Sequence, residues 1–351
     1  MSTSRRRFLL ATAAAGGTLL GRHRAAATAG PLEAAASNAA GPSPVPGGEA
    51  VAGQAIDTRV PTAEEILNFY RTRRNWGRWG PDDQVGAVNL ITPQKRVAAA
   101  ALVRTGRTVS LGRVFEPPQH FVRITPAAAN VGGGFMQDYY GYIYHGSAIT
   151  HVDALCHSWI REGMWNGRDP AKEIDTRGAR FGDITAWSSR LITRGVLIDV
   201  PRHRREPHVT AEKPVHGWEL EEIAKAQGVD VGAGDALLVY TGREAYERAP
   251  SKQPNRRPGL HASCAKFIRD RDVAVLVWDM LDACDEVCGP DKPDRVHAVI
   301  ANFGVALVDN ALLEPLAAAC LEERRYEFMF VALPLRVLRG SGSAANPTAI
   351  F

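Results

Sequence analysis

The chain has 351 residues and a formal net charge of +4, but its first 29 residues hold five arginines and no acid, so the remainder carries −1. The basic balance therefore belongs to the leader and gives no ground for nucleic-acid binding. Five cysteines, an odd number, exclude complete disulfide pairing within one chain.

Residues 1–29 read as an export signal. Ser4-Arg5-Arg6-Arg7-Phe8-Leu9-Leu10 is a twin-arginine pattern. The weakly apolar run from Phe8 to Gly21 is too short and too rich in Gly and Ala to stay in a bilayer. Ala27-Thr28-Ala29 offers a small-x-small cleavage site. The expected destination is the periplasm or the exterior, with no stable membrane anchor. Residues 30–57 are Ala/Gly/Pro/Ser-rich and cannot bury a core, which predicts a disordered linker. About 290 residues then remain, enough for one large α/β domain.

Thr62 caps a helix over Ala63–Arg74, with Glu64 and Glu65 in its first turn. A loop with Trp76 and Trp79 follows. Thr92-Pro93 opens a second helix, to about Thr105. Thr108–Phe115 alternates as a strand. Residues 116–138, rich in Pro and Gly, predict a long loop of the kind that borders sites. Further strands are expected at Gly195–Val200, Asp235–Thr241, Val273–Trp278, Val305–Val308 and Tyr326–Leu333. Helices are expected at Trp218–Gln227, at Arg295–Asn302 (stopped by Gly304) and at Ala311–Glu323, the last capped by Asp309-Asn310. The tail Gly340–Phe351 is Gly/Ser/Pro-rich. Several strands lack an intervening helix, so a mixed sheet with peripheral helices is expected rather than a regular doubly wound one.

The chemistry concentrates in His145-Gly-Ser-Ala-Ile-Thr-His151-Val-Asp153-Ala-Leu-Cys-His157. On a strand, His151 and Asp153 project from the same face with Cα atoms roughly 6–7 Å apart. Metal bonds of about 2.0–2.2 Å from each side chain can close that gap. Imidazole with carboxylate suits zinc, manganese or iron better than calcium or magnesium. His157 reaches the same point only if the chain bends at Ala154–Cys156. Cys156 beside it invites a thiol-nucleophile reading, although chain neighbours rarely face each other. Cys284 and Cys288 have the spacing for a disulfide in an oxidising compartment; Cys264 and Cys320 read as isolated buried thiols. Trp76, Trp79, Phe135, Tyr139 and Tyr140 could line an aromatic substrate pocket, although structural packing is the more ordinary role for any one of them. Asp279, Asp282 and Asp285 read as loop-capping carboxylates.

At these residues the chain resembles the cyclase family of metal-dependent hydrolases, which includes bacterial kynurenine formamidase and isatin hydrolase. The family's mark is H-x-G-T-H-x-D-x-P-x-H, and Thr150-His151-Val152-Asp153-Ala154-Leu155-Cys156-His157 reproduces its second half. Arg295-Val-His297 with Asp309-Asn310, the Ala-Cys320 helix, and Leu335 to Pro347 resemble the family's longer bacterial branch. The resemblance spans residues 60–351 and implies a swivelling β/β/α domain over 58–351. It implies that His151 and Asp153 are metal ligands and that His157 shuttles a proton. It also matches His297 and Asp309, twelve residues apart, to a His and Glu pair of the family, with the carboxylate one methylene shorter.

Two further departures stand out. The family's first histidine falls at Ser147, so His145 either binds metal from a loop two residues longer or contacts substrate. The family proline is Leu155, so the bend after Asp153 must be made another way. The expected protein is an exported hydrolase with a divalent metal, Zn or Mn, cleaving a cyclic amide, an aryl formamide or a lactone. A polyketide-type cyclase or dehydratase and a non-catalytic metal- or ligand-binding protein are the alternatives. The expected partners are a small-molecule substrate and further copies of the chain, as a dimer or tetramer.

Overall fold

The computed structural model describes residues 56–126, 132–250, 256–284 and 295–351. The export signal, nearly all of the expected linker, Asp285 and Cys288 lie outside the described residues. Thirteen strands are described: β1 (Thr108–Ser110), β2 (Gln119–Pro126), β3 (Gly134–Gly141), β4 (His151–Asp153), β5 (Ile174–Asp175), β6 (Gly178–Ala179), β7 (Ile192–Asp199), β8 (Ala236–Tyr240), β9 (Val275–Trp278), β10 (Ala306–Asp309), β11 (Glu327–Val331), β12 (Gly342–Ala344) and β13 (Thr348–Ile350). Nine of them form one mixed sheet in the order β1-β13-β11-β7-β8-β9-β10-β4-β12. The four central strands β7, β8, β9 and β10 are mutually parallel, and antiparallel strands flank them on both sides. This is the mixed sheet with peripheral helices that the sequence predicts.

The central strands β8 and β9 are buried at every position, as parallel strands covered on both faces must be, and their near-continuous Val and Leu content follows from that. The helix Gly217–Gln227 lays Leu220, Ile223 and Ala224 into the core at i, i+3, i+4 spacing and ends on Gly228 in the left-handed region. The first helix, Ala63–Thr72, carries a complete capping box between Thr62 and Glu65. Among the described residues no helix is long and apolar enough to cross a membrane.

Several local expectations are corrected. Residues 116–138 do not form one long loop: most of them build the β2–β3 hairpin, paired from Gln119–Gly141 to Pro126–Gly134. The tail supplies two sheet strands: β12 lies beside β4, where Gly342 leaves room that a larger side chain would fill, and β13 lies between β1 and β11. The strand expected over Thr108–Phe115 closes at Ser110. Asp309-Asn310 does not cap the following helix, which starts at Glu314 after Leu313. Asn310 instead donates to the carbonyls of Gly146 and Ile149, tying the end of β10 to the segment before β4.

Candidate metal centre

Strand pairing assembles the site. His151 and Asp153 share one face of β4, while Val152 between them points into the core. β4 pairs antiparallel with β10 so that His151 lies opposite Asp309. On its other side β4 pairs with β12, where Ala344 and Gly342 lie opposite His151 and Asp153. A Cβ on Gly342 would stand 2.4 Å from the Val152 carbonyl oxygen and 3.1 Å from Cε1 of His145. The glycine therefore makes the space that His145 and Tyr144 occupy. Tyr144 Oη donates to the Gly342 carbonyl at 2.9 Å, and His145 Nε2 lies 2.9 Å from Ser341 Oγ.

All the histidines singled out in the sequence converge on two carboxylates. His145 Nδ1 is 2.9 Å from Asp153 Oδ1, His151 Nε2 is 3.3 Å from the same oxygen, and His157 Nε2 is 3.6 Å from Asp153 Oδ2. His151 Nε2 is 3.9 Å, and His297 Nε2 3.4 Å, from Asp309 Oδ2. His157 arrives as expected, through a bend immediately after β4. Without a proline, that bend is fixed by the His157 N–H to the Ala154 carbonyl and the Cys156 N–H to the Gly182 carbonyl, each at 3.0 Å. Its ring lies 3.9 Å from the His145 ring, nearly parallel.

The hydrogen bonds decide which nitrogen each ring presents. His151 Nδ1 donates to the Ile149 carbonyl at 2.8 Å. A carbonyl only accepts, so Nδ1 carries the proton and Nε2 faces Asp153 and Asp309. His297 Nδ1 is bonded to the Asp282 carboxylate, which also accepts from the His297 backbone N–H, leaving Nε2 toward Asp309. This carboxylate–imidazole arrangement orients metal-binding histidines. Asp309 Oδ1 accepts from the indole N–H of buried Trp278, leaving Oδ2 for the centre.

The donor set fits a cation. Asp153 is completely buried, yet neither of its carboxylate oxygens nor Nδ1 of His145 has a hydrogen-bond partner among the described residues. The short approach of His145 to Asp153 has the distance of a hydrogen bond but not its direction. Two groups, His145–His151–Asp153 and Asp153–His297–Asp309, each bring three donor atoms within 4.8 Å of one another, and Asp153 belongs to both. Buried carboxylates are costly unless positive charge meets them. Burial alone would lower the pKa of His297, but Asp282 and Asp309 outweigh it and push it up to about 10. For His157 burial prevails over the pull of Asp153; with His145 and His297 also opposing protonation, its pKa is pushed down to about 4. Despite burial, His157, His145 and His151 together hold the Asp153 carboxyl well below the usual carboxylate range.

A cleft of about 1190 Å³ opens beside the centre and is lined by His157, Trp159, Ile160, Arg161, Arg295 and His297, among others. None of the five aromatic residues proposed from sequence lines it. Trp76 donates to the Ala301 carbonyl and Trp79 packs on Trp165, while Phe135, Tyr139 and Tyr140 lie on the hairpin. Asp279 does cap a loop, accepting from the backbone N–H groups of Thr241, Gly242 and Arg243. Asp282 departs from the capping expectation, since it is buried against His297. Cys156 is buried, and burial pushes its thiol up to about 12, away from the thiolate that a nucleophile needs. Cys264 and Cys320 are buried free thiols and Cys284 is disulfide-bonded. Trp159, Trp278, Tyr144 and Gly342 were not singled out in the sequence. For Trp278 and Gly342 the pairings of β9, β10 and β12 would have been the signal.

The Cyclase family model matches residues 99–283. No curated protein sequence matches the chain. A solved structure described as a novel cyclase is 30% identical, covers 80% of this chain and all of its own, and superposes with a TM-score of 0.68. Isatin hydrolase A from Ralstonia solanacearum is 16% identical, over 74% of this chain and 97% of its own, with a TM-score of 0.49. A protein described as a predicted metal-dependent hydrolase from Bacillus stearothermophilus is 14% identical, over 69% of this chain and 97% of its own, with a TM-score of 0.44. With more than half of its length matched by the family model and a 30% identical relative spanned in full, the chain belongs to the Cyclase family.

Proposed function

We propose that this chain is an exported metal-dependent hydrolase that cleaves a cyclic amide, an aryl formamide or a lactone. The observation that carries the reading is the pair of histidine–carboxylate groups joined at Asp153, with both Asp153 oxygens buried and lacking hydrogen-bond partners. His145, His151, Asp153, His297 and Asp309 would hold the metal, Zn or Mn by the nitrogen and oxygen character of the donors. A divalent ion in such a site lowers the pKa of water and polarises a carbonyl.

The chain's own residues supply the rest. His157 lines the cleft, and the low basicity set by burial keeps its imidazole neutral at neutral pH. It can therefore accept the proton of an attacking water and return it to the leaving nitrogen or oxygen. Arg161 and Arg295 line the same cleft, and their guanidinium groups suit the carboxylate that amide or lactone hydrolysis releases. The disulfide at Cys284 accords with an oxidising compartment and so with export.

The test combines metal analysis of the purified protein with a screen of aryl formamides, cyclic amides and lactones. Stoichiometric Zn or Mn, with turnover of one class that chelation abolishes, is the expected result. Absence of any bound metal after metal-supplemented expression overturns the reading. Metal without hydrolysis of any class would turn it toward a binding protein.

A further inference from the structure

The segment that carries His145 has little of its own to hold it. Gly146, Ser147 and Ala148 are exposed. Among the described residues no backbone–backbone hydrogen bond reaches residues 145–149. A Cβ placed on Gly146 would meet no atom within 4 Å. Exposed backbone with so few contacts opens at low cost, yet His145 Nδ1 stands 2.9 Å from Asp153 Oδ1.

Two side chains from the ends of other sheet strands grip this segment. Asn310 follows β10 and is completely buried. Its φ of 56° lies in the left-handed region, which Asn enters more readily than most residues. Its Nδ2 donates to the Gly146 carbonyl and, at 3.2 Å, to the Ile149 carbonyl. Its Oδ1 accepts from Arg243 Nη1 at 2.7 Å. Arginine only donates, so the partners themselves fix which way the amide faces. Arg243 opens the short helix Arg243–Arg248 after β8, with most of its side chain buried. Its Nη1 also donates to the Asp279 carbonyl at 3.1 Å, and its Nη2 donates to the Ser147 carbonyl. Both grips are anchored in turn. The Asp279 carboxylate accepts from the Arg243 backbone N–H, and Thr150 Oγ1 and Arg113 Nε donate to the Asn310 carbonyl at 2.7 and 2.9 Å.

We infer that Arg243 and Asn310 are positioning residues that set two nitrogen donors of the centre, His145 and His151; the inference rests on the metal reading above. The Gly146 carbonyl fixes the peptide next to His145 and so aims its ring. The Ile149 carbonyl is shared. It accepts from Asn310 Nδ2 and, at 2.8 Å, from His151 Nδ1, one donor for each of its two lone pairs. Asn310 thereby steadies the acceptor that keeps the His151 proton on Nδ1 and turns Nε2 toward Asp153. The rigid fork of Arg243 spans the Asp279 and Ser147 carbonyls and Asn310 Oδ1, a geometry that a lysine ammonium on its flexible stem does not hold. The two residues act as one unit, because Arg243 orients the amide that Asn310 presents. A cavity of about 90 Å³ borders Ser147, Arg243, Tyr246 and Asn310, so the segment has room to swing once the grip is lost.

The test uses the full chain and includes a readout that needs no metal. Backbone amide NMR relaxation of the metal-free wild type should give residues 146–148 order parameters of about 0.85, those of rigid backbone. Asn310→Asp, and separately Arg243→Lys, should lower them below about 0.6. Zinc affinity, read by competition with a chromogenic chelator, should fall about 10–100-fold in each variant. Asn310→Asp keeps the side-chain size and tolerates the left-handed backbone, but its carboxylate has no hydrogen to give the two carbonyls. The negative charge it adds beside Asp309 would by itself strengthen cation binding, so a loss of affinity reports geometry. The double variant should lose little more than either single one, as coupled residues do. Losses that multiply in the double variant, order retained in both single variants, or zinc affinity unchanged while order is lost would each overturn the inference. A mobile 146–148 segment in the wild type would overturn it without any variant. Zinc that fails to bind the wild type would defeat the metal reading instead, and order in the metal-free protein would still decide the grip of Arg243 and Asn310.

Discussion

Asp309 lies directly across the antiparallel β4–β10 pair from His151, and its Oδ2 stands 3.9 Å from His151 Nε2 and 3.4 Å from His297 Nε2. Residues so paired have Cα atoms roughly 4.5–5.5 Å apart, so a short aspartate serves where the family pattern has a glutamate. Trp278 and Asp282 hold Asp309 and His297 in place from outside the centre. Removing the charge at Asp282 should therefore weaken the metal without removing a ligand. Asp282→Asn is expected to lose about 10–100-fold in metal affinity, read by competition with a chromogenic chelator. Asp309→Asn, which alters a donor itself, should lose at least as much. If Asp282→Asn binds as the wild type does, the outer role of Asp282 is wrong.

Gly342 is the position where packing and metal binding meet. An added methyl would press on the Val152 carbonyl and on the rings of His145 and Tyr144. The Gly342→Ala variant should lose about 1–3 kcal/mol of stability, the usual cost of overpacking, together with metal affinity through displacement of His145. Thermal melts with and without added Zn report both effects. An unchanged metal affinity would separate His145 from the centre.

How much was legible in the sequence follows from how local each signal is. His151 and Asp153 could be paired from spacing alone because strand geometry fixes alternate side chains on one face. The bend that delivers His157 was required by distance, and the turn after β4 supplies it. Asp309 was ambiguous, since an Asp-Asn pair before a helix is also a capping signal; the pairing of β10 with β4, over 150 residues apart in the chain, places it opposite His151 instead. Trp278 and Gly342 gave no local sign, because their roles arise from neighbouring strands. The hairpin was hidden by its flanking prolines and glycines, and by apolar residues on both faces that show no single-face alternation.

His157 and Cys156 are adjacent in the chain but differ in environment. His157 lines the cleft and stays neutral, whereas Cys156 is buried with its thiol pushed up to about 12. His157→Ala should keep its metal and lose roughly 10²–10⁴-fold in turnover, the usual worth of a general acid–base group. Cys156→Ala should turn over as the wild type does. Loss of activity in Cys156→Ala with metal content and melting temperature intact would restore a thiol mechanism.

His216 gives the fold a pH limit remote from the metal. Its ring lies 4.5 Å from that of His261, and its Nδ1 is 3.3 Å from Ser263 Oγ, where the helix Gly217–Gln227 begins. Burial, reinforced by His261 and Arg204 and opposed by Glu219, pushes its pKa from 6.5 down to about 4. The folded state thus favours the neutral ring, while the unfolded chain takes up the proton first. The stability this contributes is complete above pH 6.5 and is lost as the pH falls toward 4. Urea midpoints should drop across that window in the wild type and drop less in His216→Gln, with the two proteins differing little in slope at neutral pH. Parallel acid profiles for the two proteins would assign the acid sensitivity to other groups.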